Sequence, residues 1–431
     1  KNFQAYLNLG LLYRNSEKIE LAEELIIKSI EINPKFLPGH INLMQLYEKL
    51  NEDEKLNESI NNAEINFKNS PIVKLYKGKF LYKKEKFPEA INNLENINFK
   101  SSYLILEETR CSILAKSYDQ LNKNEDAFQY FKKSNEMNFK IYEGKNNKNN
   151  FLNLISKRKI FFNNLLIKKW PTTKTGNKKK DPVFLIGFPR SGTTLLDTIL
   201  RSHSSIKVME ELPILENIII KLNKNTNGDF NKLRNINENL LSELRDYYYE
   251  NRTKIIKEDD NNKIYIDKMP LNIIYVGEIL RIFPNAKFIL TLRHPCDCVL
   301  SSFMQSFKLN DAMANFLDLE VSANLYNNVM ELWTKYLKSF SINYCSVKYE
   351  NIVFNFEKTI SSILEFLDLP WSDNVFDFQK TAKNRGLIHT PSYNQVVKPI
   401  YNKSVGRWKY YEKNMSDIVP ILNPWIKKFN Y

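Results

Sequence analysis

The stretch PVFLIGFPRSGTTLLDTIL, residues 182–200, constrains the fold more than any other part of the chain. PVFLIGF is apolar, bounded by Pro and Gly, and too short for a buried helix, so it predicts a strand. TTLLDTIL puts Leu195, Leu196, Ile199 and Leu200 on one helical face. Gly187 and Gly192 bracket the turn between them; with only 11 Gly in 431 residues, two within six positions imply a backbone requirement. IYID (264–267), KFILTL (287–292) and NYCSVKY (343–349) are further strand candidates, separated by helical stretches. This alternation predicts a parallel sheet covered by helices, with ligands at the carboxyl ends of the strands. Arg190, Lys268, Arg293 and Tyr349 all lie just after predicted strands.

Upstream the period is different. AYLNLGLLYRNSEKIELAEELIIKSIEINP carries Tyr6, Leu9, Gly10, Tyr13, Ala22, Ile26, Ser29 and Pro34 at the spacings of the tetratricopeptide repeat, a helix–turn–helix unit of about 34 residues. Small residues at Gly10, Ala22 and Ser29 let paired helices approach. Looser units follow at Tyr47, Ile60 and Ala63, at Gly78, Ala90 and Leu94, and at Ala115, Tyr118, Ala127 and Phe131. Such arrays stack into solenoids whose concave face binds peptides. The expected organisation is an all-α repeat domain over 1–140, a helical and basic linker over 141–180, and an α/β domain over 181–431.

The net charge of +14 admits nucleic acid or an anionic ligand. The densest basic clusters, IKKW and KTGNKKKD, lack the aromatic interleaving of a single-strand platform, so nucleic acid is not the expected partner. Four Cys, at 111, 296, 298 and 345, form no disulfide or zinc pattern, which suits a reducing, cytoplasmic compartment. No run approaches a membrane span and no signal peptide is visible. The chain opens on Lys1 rather than Met, which leaves room for an upstream segment.

Backbone N–H groups of Ser191 to Thr194 open the predicted helix toward an anion, and the Thr193 and Thr194 hydroxyls add donors. The triphosphate loop G-x-x-x-x-G-K-[ST] wants lysine where Thr193 stands; the cation here is Arg190, three positions earlier. A nucleotide-dependent kinase or ATPase would use Asp267 to hold magnesium, but lacks that lysine.

GFPRSGTTLLDTIL resembles the 5′-phosphosulfate loop of sulfotransferases. FILTLRHPCDCVLSSF resembles their 3′-phosphate motif, in which an Arg is followed eight residues later by a Ser, as Arg293 is by Ser301. The chain as a whole resembles a tetratricopeptide-repeat sulfotransferase, with residues 181–431 similar to tyrosylprotein sulfotransferases. The resemblance implies a P-loop-like α/β sulfotransferase domain with a central parallel sheet behind the repeat solenoid. It implies 3′-phosphoadenosine 5′-phosphosulfate (PAPS) as donor, with Arg190, Ser191, Gly192, Thr193 and Thr194 around the 5′-phosphosulfate and Arg293 and Ser301 on the 3′-phosphate. VKYENIV resembles the segment with a Tyr near adenine, making Tyr349 a candidate; packing at the strand end is the competing role. TPSYNQVVKPIYNKSVGRWKYYE resembles a late segment that closes over the nucleotide, giving Ser392 and Arg407 as phosphate contacts.

Sulfuryl transfer needs a base for the acceptor hydroxyl and charge stabilisation for the leaving phosphate. KVMEELP supplies Glu210 and Glu211; register with the tyrosylprotein enzymes makes Glu211 the base, 21 residues after Arg190. IDKMP resembles the stretch that brings a Lys to the bridging oxygen, so Lys268 is the expected leaving-group stabiliser; a salt bridge with Asp267 is the competing role. With Arg190 these form the expected catalytic set, and no metal is required. His203 and His294 are expected to be structural or to support the residues that touch the ligand. The acceptor, engaged through the repeats, is a protein, a peptide or another hydroxyl compound, and tyrosine is one option. An inactive repeat scaffold is the third alternative, opposed by the intact Arg190, Glu211, Lys268 and Arg293.

Overall fold

The computed structural model describes all residues except 1, 98, 100, 101, 163–169, 171–179, 258, 259, 261 and 385–398. It forms two compact units, Lys1–Lys145 and Asn146–Tyr431.

The first unit is all helical: α1 (Phe3–Asn15), α2 (Ile19–Ile32), α3 (Leu37–Leu50), α4 (Asp53–Phe67), α5 (Pro71–Lys83), α6 (Phe87–Glu95), α7 (Leu104–Gln120) and α8 (Asn124–Ile141). They pair as four helix–turn–helix repeats, and each pair turns in the same way. Glu17, Asn51, Glu85 and Asn122 all adopt positive φ, between 57° and 60°. The amide of the next residue reaches back to a carbonyl five positions earlier: Lys18 to Tyr13, Glu52 to Tyr47, Lys86 to Leu81, Lys123 to Tyr118, at 2.9–3.0 Å. This left-handed helix end satisfies carbonyls that the helix leaves orphaned. The close approach of paired helices rests on small residues. A side chain at Gly78 would fall 2.4–2.7 Å from Leu94, and Ala22, Ala90 and Ala127 are completely buried. Leu9, one of the repeat positions, is 43% exposed on α1.

The second unit begins with α9 (Lys148–Phe161), inside the stretch expected as a linker; it packs against α16 (Leu319–Ser339). Its Arg158 forms a fully buried ion pair with Glu278. Five strands follow: β1 (Val183–Gly187), β2 (Ile206–Glu210), β3 (Ile264–Lys268), β4 (Lys287–Leu292) and β5 (Asn343–Lys348). They form one parallel sheet in the order β2-β3-β1-β4-β5. Helix α10 (Thr193–Arg201) joins β1 to β2; α11 (Ile214–Thr226), α12 (Phe230–Arg234) and α13 (Glu238–Ile256) lead to β3; α14 (Val276–Ile282) precedes β4; α15 (Pro295–Phe303) and α16 precede β5. After β5 come α17 (Tyr349–Phe354), α18 (Phe356–Phe366) and α19 (Phe378–Asn384), and a C-terminal helix spans Val419–Lys428.

Strand alternation splits the sheet into two chemically different faces. Val183, Leu185, Ile266, Ile289 and Val208 pack with Leu196, Ile199 and Leu200 of α10. On the other face Phe184 lies among Tyr248, Phe283 and Phe288. β2 was absent from the expected strands. Its five residues include Lys207 and Glu210, so it carries no apolar run, yet Ile206, Val208 and Met209 are buried.

Opposite effects are expected seven residues apart in the third repeat. Glu85→Gly should stabilise the first unit by about 0.5–1 kcal/mol by removing the left-handed penalty of a side chain. Gly78→Ala should cost about 1–3 kcal/mol through overpacking against Leu94. Urea unfolding of the full chain, followed by far-ultraviolet circular dichroism, reads both.

Candidate active site

The loop after β1 is built from backbone exceptions. Arg190 and Gly192 both have positive φ, 68° and 95°. The Ser191 amide donates to the Phe188 carbonyl at 3.2 Å, which tightens the turn. Gly187 and Gly192 each abut a neighbour that leaves no space for a side chain. A Cβ at Gly187 would lie 2.7 Å from the Thr291 carbonyl oxygen, and one at Gly192 would lie 2.7 Å from the Tyr349 ring. Thr291 Oγ1 donates to the Ile186 carbonyl at 3.2 Å and meets Ser191 Oγ at 2.7 Å. Ser191 is therefore held inward, its amide and hydroxyl fastening the loop to itself and to β4, so its amide is engaged within the loop and not open to an anion as expected. Thr193 and Thr194 form the buried first turn of α10, where Leu196 is the first amide to bond back, to Gly192. Helix N–H groups before that point are the ones an anion can engage.

Three arginines crowd beside this loop. Arg190 Nε donates to Ser301 Oγ at 3.1 Å, which draws Arg190 toward the residues expected on the 3′-phosphate. Arg293 donates through Nη1 to the Arg190 carbonyl at 3.0 Å and through Nη2 to the Ser404 carbonyl. Its Nε is buried with no hydrogen-bond partner among the described residues. Burial, then the Arg293 and Arg407 guanidiniums, hold the Arg190 pKa down at about 10. Like charges gathered at a partly buried point are stabilised by an anion among them. The Arg293 guanidinium also lies 5.1 Å from the centre of the Tyr349 ring, and burial raises that phenol's pKa. Tyr349 thus packs between Gly192 and Arg293 at the end of β5. Ser392 lies outside the described residues.

A second cluster occupies the carboxyl ends of β2 and β3. Lys268 is fully buried, with Nζ 3.0 Å from Glu210 Oε1, 2.9 Å from Glu211 Oε1 and 4.0 Å from Asp197 Oδ2 on α10. Glu210 and Lys268 are register partners, and their side chains share the α10 face. The side chain of Glu211 is 36% exposed against 10% for Glu210. Glu211 also has positive φ, 49°, and its amide donates to the Lys268 carbonyl at 2.8 Å. A non-glycine residue held there marks a locally strained backbone of the kind found at functional sites.

Asp267, the alternative partner of Lys268 and the alternative magnesium ligand, does neither job. It pairs with Phe184 in register, on the aromatic face, where Tyr248 donates to its Oδ2 at 3.2 Å. Burial raises its pKa to about 7 against the Tyr248 hydrogen bond. His203 accepts from the Ser205 amide and bonds the Pro370 carbonyl, and His294 stacks on Trp408. Asp197 and Thr291 were missed; each is one residue in an apolar helix or strand, and only register brings it to the site. Among the described residues no helix is long and apolar enough to cross a membrane.

Residues 182–373 match the sulfotransferase family, and residues 3–36 and 110–141 match the tetratricopeptide repeat. An uncharacterized protein of Aquifex aeolicus (strain VF5) is 33% identical over 261 residues, 59% of this chain and 34% of that protein. The chain thus spans about a third of the length of this relative. The protein-tyrosine sulfotransferase 1 of Danio rerio is 26% identical over 258 residues, 57% of this chain and 72% of that protein. A solved sulfotransferase domain from the curacin biosynthetic pathway is 18% identical at a TM-score of 0.39, over 54% of this chain and 92% of that one.

The buried carboxyl of Asp267 gives a signed pH dependence. Its pKa is near 7 folded and near 3.8 otherwise, so its stabilising contribution is full below about pH 4 and is lost as pH rises through about 7. Between pH 4 and 8 the wild type should lose on the order of 1–4 kcal/mol relative to Asp267→Asn. Parallel pH titrations of unfolding in the two proteins measure the difference; curves that stay parallel would remove the assignment.

Proposed function

We propose that this chain, whose tetratricopeptide repeats precede a domain of the sulfotransferase family, transfers a sulfuryl group from PAPS to an acceptor hydroxyl. The observation that carries the proposal is the convergence of Arg190, Arg293 and Arg407, with an Arg293 Nε that has no hydrogen-bond partner among the described residues, beside a helix-opening loop. A donor bearing phosphates at both ends of its ribose suits several distributed cations better than one triphosphate-binding lysine. In this assignment Gly192, Thr193 and Thr194 bound the 5′-phosphosulfate and Ser191 shapes the loop. Arg293 and Ser301 hold the 3′-phosphate, Arg407 joins them, Tyr349 flanks the nucleotide, and Ser392 is a further phosphate contact.

The acceptor oxygen attacks sulfur in line with the bridging oxygen. The new S–O bond forms as the bond to the bridging oxygen breaks, and the leaving 3′-phosphoadenosine 5′-phosphate keeps that electron pair. Glu211 takes the acceptor proton, because it is the more exposed of the two carboxylates on Lys268. Lys268 and Arg190 stabilise the charge that develops on the leaving phosphate and the transferring oxygens. Lys268 is fully buried between its carboxylates. Its ammonium must therefore exchange Glu211 for the sulfuryl or bridging oxygens, and the same exchange frees Glu211 to act as base. Glu210 and Asp197 remain to balance the buried charge. No metal is assigned a role, since the cations supply the charge.

The kinase or ATPase alternative loses its magnesium ligand, because Asp267 lies on the far face of the sheet from Lys268. The acceptor we favour is a hydroxyl on a protein or peptide, tyrosine among them, delivered by the repeats. The tyrosine-sulfating relative supports that choice. A cytoplasmic setting suits the free thiols of Cys111, Cys296, Cys298 and Cys345.

In a thermal-shift panel 3′-phosphoadenosine 5′-phosphate should stabilise the protein without magnesium, and ATP or ADP should do so less. Stabilisation by ATP that depends on magnesium would reverse the assignment. Arg293→Ala should weaken 3′-phosphoadenosine 5′-phosphate by about 2–3 kcal/mol, the loss of charged hydrogen bonds. Glu211→Gln should abolish transfer of labelled sulfate while that nucleotide still binds; unchanged turnover would remove Glu211 as base.

A further inference from the structure

Asp297 sits in the first turn of α15, four residues after Arg293, with 1% of its surface exposed. An acid at this third helical position ordinarily accepts from the amide of the capping residue. Here the capping residue is His294, and its amide donates instead to Glu350 Oε1 at 2.9 Å. Both Asp297 oxygens are left for a segment more than a hundred residues downstream. Oδ2 accepts from the Gly406 amide and Oδ1 from the Trp408 amide, each at 2.8 Å. Gly406 has a φ of 69°, and the residue held between the two bonds is Arg407.

Neighbouring contacts fasten the same turn to the start of α15. Arg293 donates to the Ser404 carbonyl, and the His294 ring lies 5.1 Å from Trp408 with 17° between their planes. Burial lowers the His294 pKa. A buried carboxylate is costly unless it accepts hydrogen bonds, and two charge-assisted bonds to backbone amides meet that need. They also fix the direction of the side chain between them.

We propose that Asp297 is a positioning residue for the donor pocket: it clamps Gly406 and Trp408 so that Arg407 joins Arg293 at the 3′-phosphate. The proposal rests on the PAPS reading of the site. It makes the two parts of the pocket interdependent, because Arg293 and Asp297 rise from one β4–α15 turn while Arg407 arrives on the C-terminal segment.

Isothermal titration of wild type, Asp297→Asn, Arg407→Ala and the double variant with 3′-phosphoadenosine 5′-phosphate and with adenosine 5′-monophosphate tests it. Asp297→Asn and Arg407→Ala should each weaken the bisphosphate about tenfold or more. The double variant should be within about twofold of Arg407→Ala, since both remove one arrangement. Adenosine 5′-monophosphate should change less than about threefold. Losses that multiply in the double variant, or that strike both nucleotides equally, overturn the proposal. Hydrogen exchange of the wild type covers the case in which Asp297→Asn does not fold. The Gly406 and Trp408 amides should be protected, and more so with the bisphosphate bound; fast exchange at either overturns the clamp. A wild type that binds neither nucleotide overturns the donor reading and the role given to Arg407. Protected amides in that case would show that the donor reading failed, and not the clamp.

Discussion

The site depends on how closely β1 and β4 approach at their carboxyl ends. Gly187 is the register partner of Thr291, and the neighbouring carbonyl and hydroxyls leave no volume for a Cβ. That proximity lets Thr291 Oγ1 meet Ser191 Oγ and the Ile186 carbonyl together, so one buried hydroxyl pins the loop to the adjacent strand. With the loop pinned, Arg190 is forced into a left-handed backbone and its side chain turns toward Ser301 on α15. Arg293 then bonds the Arg190 carbonyl. The pocket's positive charge follows from a packing constraint between two strands, not from a basic surface patch.

Lys268 is governed by the pleat. Consecutive residues of β3 point to opposite faces, so Asp267 enters the aromatic layer and Lys268 enters the layer under α10. A one-residue slip of β3 would exchange them, burying an ammonium among Phe and Tyr rings and removing it from Glu210 and Glu211. The buried ion cluster therefore specifies register in addition to any catalytic role, as buried charged groups can do.

Much of this was legible because it is local. Strand, glycine turn and helix occupy one run of the sequence, and the arginine–serine spacing lies on one strand–helix turn. The repeats were legible for the same reason. The shared left-handed residue in each repeat turn was not, because Glu17 and Glu85 are not residues whose type announces positive φ. β2 escaped because Lys207 and Glu210 interrupt its apolar residues, and Glu210 is the one that faces Lys268. Asp197, Thr291 and Asp297 became visible only through contacts to distant strands or segments. The inward setting of Ser191 was hidden because its partner Thr291 lies on another strand, distant in the sequence.

The site separates its charges. Around β1 and β4 lie three arginines, and burial, then the repulsion of Arg293 and Arg407, depresses the Arg190 pKa; around β2 and β3, three carboxylates converge on one lysine. The two halves differ in their leading charge, although Arg201 shares Asp197 at 2.8 Å, and on the proposed reading a bisphosphate donor enters the first. Its binding should stabilise the fold beyond its direct contacts, since a ligand that favours the native state lowers the cost of holding those arginines together. In the proposed mechanism Glu211 takes the acceptor proton, and Lys268 then keeps Glu210 and Asp197 as its neighbours.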